Sequence, residues 1–296
     1  MSLAPTQWRQ VALITAGAAA VFAALRLLPT GSDLSHMDFR TDPKSGQAIE
    51  FCDPANPQFI PVVAVRSPVT MSVTPGAPAI VRLRTANGKP LRPEDLLVTH
   101  TERLHLLIID PTLRDYQHVH PQPAGPPGEW RFDFAPRLTG AYRIFADFTP
   151  AATGRGLYAS ADMAATGEPA AVATTASPGR EAVRAGHHFA LTTAPAVPRA
   201  AQPITLRFEI ARADGGAVAL QPVMGALAHL VAFDQARSGF AHLHPVEPAA
   251  GEKSDAAKPV LDFKLTIPRA GRFTVWAQVN LDGRETFVPF GIEVAE

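Results

Sequence analysis

The chain repeats itself at a fixed offset. His105-Leu-Leu-Ile-Ile-Asp110, a turn with Pro111, and Tyr116-Gln-His118-Val-His120-Pro121 return as His229-Leu-Val-Ala-Phe-Asp234, a turn with Gly239, and Phe240-Ala-His242-Leu-His244-Pro245. Every matched position lies 124 residues from its counterpart. The likeness runs on more loosely, from Leu138-Thr-Gly140-Ala-Tyr-Arg-Ile-Phe145-Ala146 to Arg269-Ala-Gly271-Arg-Phe-Thr-Val-Trp276-Ala277, and from residues 79–84 to residues 204–210. Self-similarity of this length means that one structural unit is built twice.

Each unit reads as short segments of alternating polarity, separated by proline and glycine turns. Alternation with period two marks strands with one buried face, and several short strands in about 100 residues suit a β-sandwich. The 29 prolines and 21 glycines argue against long helices over the same stretch. The expected fold is all-β: two tandem sandwiches over residues 60–160 and 184–296, joined by an Ala/Thr/Gly/Pro-rich linker over 161–183, after an N-terminal hydrophobic helix.

Net charge is zero, so the basic surplus of a nucleic-acid binder is absent. Cys52 is the only cysteine, which rules out an internal disulfide and a thiolate zinc cluster.

At the N-terminus Arg9 precedes an apolar run over residues 11–25, and Arg26 ends it. This fits the h-region of an export signal or a short uncleaved anchor, and both place the remainder outside the cytoplasm. Residues 1–29 are thus expected to be a membrane anchor or signal segment in the inner membrane. Residues 30–59 read as a polar tether carrying His36, Met37 and Cys52.

The histidines carry the chemistry. Residues two apart on a strand share a face, so His118 and His120 project together, as do His242 and His244. If residues 111–114 turn, antiparallel pairing brings His105 against the His118–His120 region, and His229 likewise meets His242 and His244. Three imidazoles on one face can hold zinc, copper, iron or nickel. They can also brace the hairpin through hydrogen bonds. Five residues before each lone histidine stand His100 and Met224, candidate fourth ligands, and a thioether suits copper(I). Asp110 and Asp234 are placed to orient an imidazole or to cap the turn. His187 and His188, as neighbours, point to opposite strand faces and do not chelate jointly.

Catalytic signatures are missing. Residues 100–105 superficially suggest HExxH, but their histidines are five apart rather than four, in loop and strand. There is no G-x-S-x-G, phosphate loop or dinucleotide fingerprint. The chain is expected not to be an enzyme, with a metalloenzyme on an open three-histidine site as the alternative.

The paired segments 100–110 with 116–121, and 224–231 with 240–245, resemble a bacterial family of exported HxHP-repeat proteins associated with heavy-metal handling, copper in particular. The resemblance implies immunoglobulin-like domains in the periplasm. Three readings stand: a tethered copper-binding or copper-delivering module (zinc as the alternative metal) serving an envelope metal-handling partner, an architectural or interaction module, and a metalloenzyme.

Overall fold

The computed structural model describes residues 5–27, 57–169, 178–246 and 256–296. His36, Met37, Cys52 and most of the expected tether lie outside the described residues. The N-terminal helix, α1, spans Pro5–Leu27. Among the described residues no helix is long and apolar enough to cross a membrane. This corrects the expected transmembrane anchor: the apolar run over residues 11–25, bounded by Arg9 and Arg26, is shorter than the roughly 20 residues a span needs.

The rest is antiparallel β-structure. The first half holds β1 (Val69–Thr74), β2 (Ala79–Thr85), β3 (Leu104–Ile109), β4 (Tyr116–Val119), β5 (Gln122–Pro123), β6 (Glu129–Phe132), β7 (Gly140–Phe148) and β8 (Leu157–Ala165). The second holds β9 (Glu181–Arg184), β10 (His187–Ala194), β11 (Pro203–Arg212), β12 (Leu220–Gln221), β13 (Ala228–Asp234), β14 (Phe240–Leu243), β15 (Val260–Thr266), β16 (Gly271–Leu281) and β17 (Arg284–Val294). In the first half the sheet orders are β1-β2-β6-β5 and β4-β3-β7-β8. In the second they are β15-β11-β10-β9 and β12-β16-β13-β14, with β17 beside β16. The pairings β14-β13-β16-β17 and β15-β11-β10 repeat β4-β3-β7-β8 and β6-β2-β1, so the duplication seen in sequence extends to topology.

Alternation builds each core. On β11, Ile204, Leu206, Phe208 and Ile210 are buried while the residues between them are exposed or half-buried. They meet Leu230, Ala232, Val275 and Ala277 from the facing sheet. Val81, Leu83, Leu106, Ile108 and Ile144 do the same in the first sandwich.

β3 departs from alternation, being buried at all six positions. Leu104, Leu106 and Ile108 point into their own core. Leu107 and Ile109 point the other way, into a third cluster with Tyr116, Phe145, Val231, Phe233, Phe240 and Trp276. The β3–β7 sheet of one sandwich therefore packs against the β13–β16 sheet of the other. Burial of each such side chain contributes about 1.5–3 kcal/mol.

The segment leading into the first sandwich stitches the two together. The Phe59 amide bonds to the Thr266 carbonyl (2.9 Å), and Ile60 exchanges backbone bonds with Phe240 (2.8 and 3.1 Å). Phe59 sits in the second core, Ile60 and Val62 in the shared cluster. The Ile60 carbonyl explains Gly239: a Cβ there would lie 1.8 Å from that oxygen, so no larger residue fits.

Candidate metal centre

On the hairpin of β3 and β4, Leu107 faces His118 and Ile109 faces Tyr116. Extending that register sets His105 beside His120. By parity, His105 shares the face of Leu107 and Ile109, the one turned toward the other sandwich. In the second hairpin Val231 faces His242 and Phe233 faces Phe240, which sets His229 beside His244. The shared face is thus apolar at one end and lined with histidine at the other.

Each set of three histidines converges. One nitrogen from each of His105, His118 and His120 lies within 4.8 Å of the others, and the same holds for His229, His242 and His244. His105 Nδ1 is 3.2 Å from His118 Nε2, and His229 Nδ1 is 3.1 Å from His242 Nε2. The outer nitrogens are committed elsewhere. His105 Nε2 donates to the Thr99 carbonyl (3.0 Å) and His229 Nε2 to the Val223 carbonyl (2.9 Å). His118 Nδ1 meets Gln278 Oε1 at 2.9 Å. That amide is oriented by its own nitrogen, which donates to Glu285 Oε2 at 3.0 Å, so its oxygen can only accept. His242 Nδ1 meets Asp147 Oδ2 at 3.2 Å.

These bonds fix the tautomers. A neutral imidazole carries one proton, and in all four rings it is held on the outer nitrogen. The inner nitrogens are lone pairs aimed at one another across 3.1–3.2 Å. Two lone pairs at that distance repel unless a cation lies between them. A tetrahedral metal bound at about 2.0 Å to each nitrogen sets the nitrogens roughly 3.3 Å apart. His120 Nε2 and His244 Nε2 are buried with no hydrogen-bond partner among the described residues, which leaves their lone pairs free to act as ligands.

Burial enforces the neutral state. It holds His118 and His242 well below the ordinary imidazole range, reinforced by the surrounding histidines. It lowers His105, His120, His244 and His100 too, and takes His229 down to about 4. Asp147 moves upward through burial, opposed by the charges of His105 and His100.

The two triads are close neighbours. The rings of His118 and His242 lie 5.2 Å apart and those of His105 and His242 5.8 Å. His100 is brought to the cluster, but across the interface: its ring stacks on His244 of the second triad at 3.7 Å and stands 6.4 Å from His105 of its own hairpin. His100 and Met224 occupy equivalent places in matching turns, Thr99–Glu102 and Val223–Ala226, each closed by reciprocal backbone bonds. The two central residues of each turn have positive φ: 49° and 72° at His100 and Thr101, 51° and 79° at Met224 and Gly225. The turns approach one another, since a Cβ on Gly225 would lie 3.7 Å from the Thr101 methyl.

Asp110 and Asp234 are turn caps. Asp110 accepts from the amides of Thr112, Arg114 and Asp115 (2.6–2.8 Å), and Asp234 from the amide and hydroxyl of Ser238 (2.6 and 2.7 Å). His187 is buried and bonds to the Ala185 carbonyl at 2.8 Å, while His188 is exposed on the opposite face.

Asp147 and Gln278 were not foreseen from sequence. They stand in register opposite His105 and His229 on the neighbouring strands, two residues beyond Phe145 and Trp276. A signal existed: each follows a large aromatic by two residues on the same strand face, at matching places in the repeat.

A family model described as "Domain of unknown function (DUF8832)" matches residues 64–165 and again residues 182–296, one match to each half. No curated protein matches. Among solved structures, the chicken interferon gamma receptor alpha chain is 9% identical, with 79% of this chain and 100% of that one covered and a TM-score of 0.22. A putative membrane anchored protein from Corynebacterium diphtheriae is 7% identical, with 78% and 59% covered and a TM-score of 0.25.

Proposed function

The chain belongs to the family of that domain of unknown function, one copy in each half, and on this footing we propose that it is an extracytoplasmic metal-binding protein that takes up or hands on copper through its two histidine triads. One observation carries the reading. In each triad two ring nitrogens face each other at 3.1–3.2 Å while the other nitrogen of each of these rings meets an oxygen acceptor. A purely architectural histidine pair would place a proton between those nitrogens.

Copper is the proposed metal because divalent copper heads the affinity order for nitrogen sites and Met224, at the place equivalent to His100, offers a soft thioether. Zinc is the alternative, since three histidines with an open fourth position suit it equally in geometry. The N-terminal run, with Arg9 ahead of it, is read as an export signal to the periplasm. The chain is read as a binder without turnover.

We further read the sandwiches as immunoglobulin-like. In support, the Tyr142 hydroxyl donates to Asp115 Oδ2 (2.6 Å) and accepts from the backbone amide of Leu138, four residues upstream (3.0 Å). This resembles the tyrosine corner of such domains.

Metal analysis of the full chain tests the proposal. After equal exposure to copper and zinc, the chain is expected to retain copper in preference. A variant with His118, His120, His242 and His244 all changed to alanine is expected to retain neither. Equal metal content in the two proteins overturns the reading.

A further inference from the structure

The two triads are built alike but surrounded differently. The partner that orients His118 is the neutral amide of Gln278, and the partner that orients His242 is the carboxylate of Asp147. These two residues are equivalent in the duplication, so the same outer position carries a charge at one site and none at the other. The turn residues differ in the same sense. His100 lies over the second triad. Its equivalent Met224 is half-buried in the matching turn, which lies against the His100 turn at Gly225 and Thr101. One site therefore has three imidazoles, a carboxylate and a further imidazole. The other has three imidazoles and an amide.

Those sets suit different ions. A carboxylate bonded to a ligand imidazole raises the ligand's basicity and offsets the charge of a divalent cation. An imidazole set whose orienting partner is a neutral amide compensates less cationic charge, and a soft thioether in reach favours a monovalent, polarizable ion. The sites are also mutually dependent, because the partners of His118 and His242 each come from the opposite sandwich.

We propose that the protein holds a paired, unequal metal centre at its sandwich interface: a divalent-copper site at His229, His242 and His244, charge-compensated by Asp147, beside a copper(I) site at His105, His118 and His120 with Met224 at its mouth. The inference rests on the metal-binding reading above. It adds which ion each triad prefers.

Titration of the full chain with copper(II), followed by electron paramagnetic resonance, and with copper(I) against a competing chelator distinguishes the cases. In the native chain the first copper(II) equivalent is expected to give one signal. His242→Ala should abolish it, and His118→Ala should preserve it. Asp147→Asn, which retains the shape of the residue and the ligands, should weaken copper(II) at that site by 10- to 100-fold and change copper(I) affinity at the other, reached only through His105, by a smaller factor. Met224→Leu should do the reverse. Circular dichroism of each variant verifies that it folds, and Asp147→Asn and Met224→Leu carry the test should either histidine variant fail to. Two equivalents of copper(II) bound alike, or equal responses to Asp147→Asn and Met224→Leu, overturn the inequivalence and leave metal binding standing. A chain that binds no copper in either state overturns both.

Discussion

Asp147 stands in register opposite His105 on its own sheet, yet its carboxylate bonds to His242 of the other sandwich, 3.2 Å away. Gln278 stands opposite His229 and bonds to His118 at 2.9 Å. Each half orients a histidine of its twin. Four predictions follow from this reciprocity and from the interface beneath it.

Gln278→Leu removes the acceptor of the His118 Nδ1 proton. A buried donor left unpaired costs about 1–3 kcal/mol, and an imidazole free to rotate loses metal affinity by roughly 10- to 100-fold. Urea denaturation and metal titration should both register the change, with the larger metal loss at the first triad although residue 278 belongs to the second half.

Acid should weaken the metal-free protein. The seven histidines of the cluster titrate below their unfolded value in the folded state, His229 at about 4. Between pH about 6.5 and 4 the unfolded chain therefore binds more protons than the folded one, and stability falls as pH falls through that window. Denaturation midpoints should decline from pH 7 to pH 4. A midpoint that stays level would show that the imidazoles are not held neutral.

The apolar end of the interface should hold the metal end in place. Phe233 is fully buried against Tyr116 (ring centroids 5.5 Å) and Phe145 (6.1 Å) of the other sandwich. Phe233→Ala is expected to cost about 3–5 kcal/mol. Metal affinity should drop with it, because the outer partners arrive from across the same interface. Calorimetric melting with and without metal measures both effects.

Tyr116 is buried in that cluster, and its hydroxyl has no hydrogen-bond partner among the described residues. Burial pushes its ionisation well above the ordinary range. Its equivalent in the second half is Phe240. Tyr116→Phe removes an unsatisfied polar atom and should raise stability, by up to about 1–3 kcal/mol, with metal content unchanged. A lower melting temperature would indicate an ordered water on the hydroxyl.

The repeat and the period-two alternation were enough to read from sequence an all-β chain built twice. Two-residue periodicity placed His118 with His120 and His242 with His244, and antiparallel pairing brought in His105 and His229, because register within a hairpin is local. Tertiary structure decided the rest. It laid the two histidine faces against each other, since Leu107, Ile109, Val231 and Phe233 lie on the outer faces of their sheets and need an apolar partner. That packing moved His100 to the opposite triad and brought Asp147 and Gln278 in as partners from the other half. Spacing along a chain encodes what one hairpin can assemble. The surface on which a second hairpin completes it is set by where the uncovered apolar face finds its match.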